Sequence, residues 1–156
     1  MATTATAWLD EREMQAWQAF LRASIRLMER LDGDLEPHGI SLADYEILVN
    51  LSGEPAGELR MTELAARTLV SRSGLTRRLD RLVESGLVER RSCPTDRRGV
   101  LAVLTDAGRR RLEQAAPTHV EGVRRHFLDH LDGYDIAGLA ACLNAVVDSS
   151  ERRPAG

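Results

Sequence analysis

The sequence contains no lysine; all 21 basic side chains are arginine. It has only two cysteines, Cys93 and Cys142, which excludes a disulfide framework and any cysteine-rich metal site. No apolar run approaches the roughly 20 residues that a membrane-spanning helix needs. Met1 to Ala7 has neither a basic end nor a following apolar stretch, so no secretory signal is read there and the cytoplasm is the expected compartment. A phosphate-cradling glycine loop is missing too, since Gly53 and Gly57 precede no Gly-Lys-Ser. No serine has an evident base and orienting acid, so the chain does not read as an enzyme. His126 and His130 stand four apart, but one helical pair supplies only two metal ligands, and neither metal nor cofactor is expected.

What is present suffices for one domain. The chain has 156 residues, 43% of them hydrophobic, enough for a core without staples. Folded compactly, a chain of this size exposes roughly 7,800 Å². Net charge is -3, which averaged over the chain does not suggest a polyanion partner. The distribution does. Arg67 to Arg111 holds 12 arginines and 5 acidic residues, a balance of +7, and the remainder carries -10. A basic middle between acidic flanks suits a sub-module that meets a polyanion; a solvated arginine-rich face is the competing reading of charge alone.

Residues 8–36 show a helical stripe of Met14, Trp17, Leu21, Ile25, Met28, Leu31 and Leu35, widened by Phe20 and Leu27. Such a length favours a partner helix, which a second subunit could supply. Pro37 to Ile40 breaks it, with Gly39 as the stop. Ser41 and Asp44 have capping-box spacing ahead of a short helix with Tyr45, Leu48, Val49 and Leu51 on its apolar side. After a loop at 53–58, Leu59 and Arg60 read as a very short strand. Thr62 is expected to cap a helix whose buried side is Leu64, Ala65 and Leu69. Ser71 is expected to cap a helix from about Arg72 to Ser85, with Leu75, Leu79 and Leu82 inward and Gly86 as its left-handed stop. Two short helices about three residues apart are helix-turn-helix spacing.

Leu87–Arg91 and Val100–Leu104 read as hairpin strands around turn material from Ser92 to Gly99. Thr105 is expected to cap a long helix running toward His130, with Ala107, Leu112, Ala116, Val120, Val123, Phe127 and Leu131 inward and a kink or break at Pro117. A last helix carries Ile136, Leu139, Ala140, Leu143 and Val147. Cys142 reads as packing on it, and residues 149–156 as a disordered tail.

The 72–85 helix has the division of labour that a major-groove reader needs: one side buried, the other polar. Arg77 and Arg81, four apart, share a side and suit guanine O6 and N7. Arg72, Ser73 and Thr76 lie near the helix start, where hydroxyls and backbone N–H groups hold phosphate. Asp80 is read as orienting a neighbouring arginine. At the hairpin tip Arg97 and Arg98 are candidates for the minor groove, with Asp96 fixing one of them.

From Leu59 to Gly108 the chain closely resembles the winged helix-turn-helix core of the MarR family of bacterial transcription regulators. The resemblance rests on RMTELAARTLVSRSGLTRRLDRLVESGLVERRSCPTDRRGVLAVLTDAG, above all DRRG at Asp96–Gly99 followed by LTDAG at Leu104–Gly108. With its flanks it covers roughly residues 8–148. It implies a mainly α fold, a winged helix-turn-helix at 41–105 with a helical dimerisation domain from 8–40 and 106–148. It implies a homodimer facing a palindromic operator, with recognition helices about 34–36 Å apart. Arg98 is implied as the minor-groove residue and Asp96 as its brace. It further implies a repressor released by a small aromatic or phenolic ligand held between the dimer helices and the DNA module, here near Trp17, Phe20, His38 and Tyr45. Core or dimer packing is the competing role for Trp17 and Phe20, and a linker role for His38. Two alternatives stay open: redox control through Cys93, beside the basic hairpin, and a regulator without a small-molecule ligand.

Overall fold

The computed structural model describes residues 6–68, 70–93 and 96–151, with residues 72, 97, 98 and 149–151 described by backbone alone. Helix α1 (Glu11–Leu35) starts three residues later than its apolar stripe suggests, because Asp10 and Glu13 form a reciprocal capping box. A 3₁₀ turn at Glu36–His38 and Gly39, at φ 68°, end it as expected. Helix α2 (Leu42–Ser52) is capped by Ser41, whose hydroxyl accepts from the Asp44 N–H at 3.1 Å while Asp44 accepts from the Ser41 N–H at 3.1 Å.

Strand β1 (Glu58–Arg60) feeds straight into helix α3 (Met61–Arg67). Arg60 is therefore the cap position, its N–H bonded to Glu63, and Thr62 lies inside the helix rather than capping it. Leu69, expected on the buried side of α3, lies outside the described residues. Helix α4 (Arg72–Glu84) begins at Ser71, whose hydroxyl accepts from the Gly74 N–H. Strands β2 (Val88–Cys93) and β3 (Asp96–Leu104) reach further than expected. Most of the segment read as turn material therefore belongs to the ladder, with Ser92 opposite Val100 and a register shift between Ser92 and Cys93. The sheet has three antiparallel strands in the order β1-β3-β2.

Helix α5 (Asp106–His126) is capped by Thr105 and runs unbroken past Pro117. Pro117 is exposed, a position where a carbonyl left without its helical N–H partner is tolerated better than in the core. The run toward His130 ends early, in a 3₁₀ turn at Leu128–Leu131, so His126 and His130 do not share one α-helix. His126 instead meets Asp34 of α1 at 3.0 Å. No group of three or more metal-ligating side chains occurs among the described residues. Helix α6 (Ile136–Glu151) continues past the point where a disordered tail is expected to begin; residues 152–156 lie outside the described ones.

The LTDAG segment locks the hairpin to α5. The Thr105 hydroxyl donates to the Gly86 carbonyl at 2.7 Å, with the Leu87 carbonyl at 3.0 Å, and accepts from the Gly108 N–H. A Cβ at Gly108 would stand 2.1 Å from the Leu87 carbonyl oxygen, so glycine is required by close approach. Leu35, Leu48, Leu51, Leu64, Leu75, Leu79 and Val88 are fully buried around this joint. They form one core between α2, α3, α4, the sheet and the first half of α5.

Outside that core the chain is open. Its accessible surface is 11,591 Å², well above the roughly 7,800 Å² of a compact chain. Trp17, Phe20, Leu21 and Ile25 on α1, Val120 on α5, and Ile136, Leu143 and Val147 on α6 are all exposed. Val120 and Val49 thus lie outward against expectation, while Ile47 takes the buried place on α2. Cys142 is exposed as well, where the sequence suggests packing.

Candidate nucleic-acid interface

Helix α4 is placed by its own leucines. With Leu75, Leu79 and Leu82 in the core, the remaining turns present Ser73, Thr76, Arg77 and Arg81 to solvent. Gly74, Arg77, Arg78, Asp80 and Arg81 line one shallow groove on this helix. The spacing of Arg77 and Arg81 therefore becomes a real shared face, open to a polyanion. Arg72, predicted for the same surface, has its side chain outside the described residues.

Asp80 does orient an arginine, but across the fold rather than along the helix. It accepts from Arg90 of β2 at 2.6 Å, tying the recognition-type helix to the hairpin. The adjacent Arg91 pairs with Glu89. Asp96 opens β3 and meets Arg60 of β1 at 3.4 Å, so it braces the edge of the sheet. Arg97 and Arg98 stand on β3 rather than in a turn, and their side chains lie outside the described residues. Gly99 fits tightly: a Cβ there would be 2.9 Å from that of Cys93. Cys93 itself is 7% exposed, packed inside the hairpin rather than displayed on it.

Sequence reasoning passes over Arg78. Its position three residues after Leu75 puts it on the flank of the buried side, which is the available signal. Its guanidinium donates to the Ser41 hydroxyl at 2.7 Å and to Asp44 at 3.4 Å, so α4 is held against the first turn of α2.

A cavity of about 700 Å³ opens beside this tie. Leu31, Leu42, Tyr45, Val70, His119 and Val123 supply much of its wall, with Arg78 at the α4 side and Glu29, Asp32 and Glu46 from α1 and α2. Of the four residues expected around a ligand, only Tyr45 lines it. Trp17 and Phe20 stack on each other on the exposed face of α1, ring centroids 6.2 Å apart. His38 bonds Thr118 of α5 at 2.9 Å. The aromatic that the sequence does not reveal is His119, whose ring lies 4.4 Å from that of Tyr45. Burial pushes the His119 imidazole below its ordinary value, against a smaller opposing pull from Asp34, and burial raises the Tyr45 phenol. The His119 Nδ1 is buried without a hydrogen-bond partner among the described residues.

No helix among the described residues is long and apolar enough to cross a membrane. Residues 38–99 match the sequence profile of the MarR family. AbsC, a MarR family transcriptional regulator from Streptomyces coelicolor, is 39% identical, with a TM-score of 0.89 over 95% of this chain and 100% of that one. Sco3205, a MarR family transcriptional regulator of the same organism solved in complex with DNA, is 35% identical, with a TM-score of 0.91 over 97% of this chain and 96% of its own. The multiple antibiotic resistance protein MarR of Escherichia coli is 33% identical over 113 residues, which are 72% of this chain and 77% of that protein. The buried leucine edge of α4, the hairpin behind it and these likenesses agree: the chain belongs to the MarR family of transcriptional regulators and has its winged helix-turn-helix fold.

Proposed function

We propose that this protein is a homodimeric repressor of the cytoplasm, a regulator and not an enzyme, that binds a palindromic operator and lets go when a small aromatic ligand fills the cavity beside Arg78. The carrying observation is the division of α4, with three leucines in the core and Arg77 and Arg81 outside. In this reading residues 41–105 form the DNA module, and residues 8–40 and 106–148 the dimer domain. Arg77 and Arg81 read bases in the major groove. Arg72, Ser73 and Thr76 hold phosphate at the helix start, and Arg97 and Arg98 extend the contact from the wing, with Asp96 bracing its base.

Dimerisation follows from the open surface. The exposed apolar faces of α1 and α6 need a cover, and obligate dimers bury about 2,000–5,000 Å². Release follows from Arg78 and Val70, which line the cavity and belong to the helix-turn-helix. A ligand pressing on them shifts α4 against α2 and spoils the fit to DNA. The buried Cys93 thiol offers the redox alternative no exposed nucleophile at the wing.

Arg77→Ala and Arg81→Ala test base reading. Each is expected to cost about 1–3 kcal/mol on a selected duplex and less on random DNA, measured by fluorescence polarisation. Equal losses on both duplexes defeat the assignment.

A further inference from the structure

Resting on the reading that Arg77 and Arg81 meet bases while the hairpin reaches the adjoining groove, we propose that Asp80 and Arg90 act together as a positioning clasp. They fix the angle between α4 and the hairpin, and so raise sequence preference without touching a base. The register of the sheet brings the two together. Arg90 stands opposite the fully buried Ala102, and side chains directly opposite in a ladder share a face. Val88, two residues earlier on β2, lies on that same face and is buried in one core with Leu79 and Leu82 of α4. Arg90 extends this row beyond the apolar contact, where Asp80 accepts its guanidinium at 2.6 Å.

The apolar contact alone does not set the angle. Burial of Leu79, Leu82 and Val88 holds α4 to the sheet, but burial has no preferred direction. A charge-assisted hydrogen bond has one. Asp80 also lines the groove that carries Arg77 and Arg81. A bare carboxylate on such a surface repels phosphate. Held by Arg90 rather than by Arg77 three positions before it, the carboxylate is neutralised and the groove arginines are left to the duplex. In the free protein Asp80 and Arg90 are 48% and 35% exposed, so water screens the pair and it adds little to stability. A duplex laid over α4 and the hairpin displaces that water, and the same pair strengthens. Its effect is therefore expected on DNA and not on melting.

The test compares a duplex enriched from a random pool by the full-length protein with unselected DNA, by fluorescence polarisation over a series of salt concentrations. Asp80→Asn frees Arg90 to reach phosphate. Unselected DNA is then expected to bind tighter, with a log–log salt slope steeper by about 1, while preference for the selected duplex falls about tenfold. Arg90→Gln leaves the carboxylate bare, so unselected DNA binds more weakly, yet preference falls by about the same factor. The double variant Asp80→Asn/Arg90→Gln has the parent's net charge and is expected to lose no more preference than either single variant, because one interaction is removed once. All three should melt within about 3 °C of the parent. Preference kept within about twofold in either single variant, losses that add in the double variant, or a preference loss matched by a larger fall in melting temperature overturns the clasp. A parent protein that enriches no duplex defeats base reading and the clasp with it. A parent that enriches one, with variants that discriminate as well, defeats the clasp alone.

Discussion

Helices α1 and α4 carry the same kind of apolar stripe and meet opposite fates. In α4 the stripe is consumed within the chain, with Leu75, Leu79 and Leu82 at 1%, 0% and 3% exposure. In α1 it is consumed only at the C-terminal end, at Leu31 and Leu35, while Trp17 and Ile25 stay 50% and 58% exposed. Amphipathic spacing states that a face needs cover; it does not state which chain supplies it. The α4 stripe sits beside short loops that fold α2, α3 and the hairpin back on it. The first four turns of α1 have only the equally open α6 and the outer part of α5 to call on.

The sharpest way to break the comparison is to damage each face. Leu79→Ala removes a fully buried side chain and is expected to cost about 2–5 kcal/mol in denaturant unfolding, whatever the protein concentration. An effect below about 1 kcal/mol would mean that α4 is not anchored as described. Trp17→Glu with Ile25→Glu should instead spare the α4 core and weaken self-association by about 2–4 kcal/mol, read by sedimentation equilibrium. A variant that associates as tightly as the parent would place the cover elsewhere.

A smaller effect sharpens the boundary between the two regions, where α5 crosses α2. His119 has its pKa lowered in the fold by burial, so the unfolded chain takes up its proton first as pH falls. Its contribution is complete above the ordinary histidine value and is lost as pH drops below it. The melting temperature is therefore expected to fall between about pH 7.5 and 5.5, and His119→Leu to flatten that fall. An identical slope in the variant would remove His119 as the cause.

Much of this is legible in the sequence because it is local. Ser41, Ser71 and Thr105 cap the helices that their positions predict, since a cap needs only one side chain and the N–H three residues on. Gly39 and Gly86 stop helices for an equally local reason, a positive φ. Thr62 fails as a cap because β1 delivers Arg60 already extended, and strand pairing is not a local property. The hairpin strands outrun their sequence signal for the same reason: beyond Arg91 the ladder continues with Ser92 opposite Val100 and Cys93 opposite Asp96, pairings that no local pattern announces.

The cavity is the least legible part of the fold. Trp17 and Phe20 are aromatics of α1, yet the helical twist turns them onto the open face and leaves Tyr45 with His119 at the cavity. His119 lies in a polar-looking stretch of α5, and nothing in its neighbours announces that its ring will pack against a residue 74 positions earlier.

The element order, the caps, the leucine edge of α4 and the basic middle can all be read from the amino acids alone, because each depends on residues within a few positions of one another. That Asp80 serves Arg90, that Arg78 ties α4 to α2, and that a cavity opens beside them emerges only in the folded chain. Those pairings join residues 10 and more than 30 positions apart, and only packing determines which side chains meet over such separations.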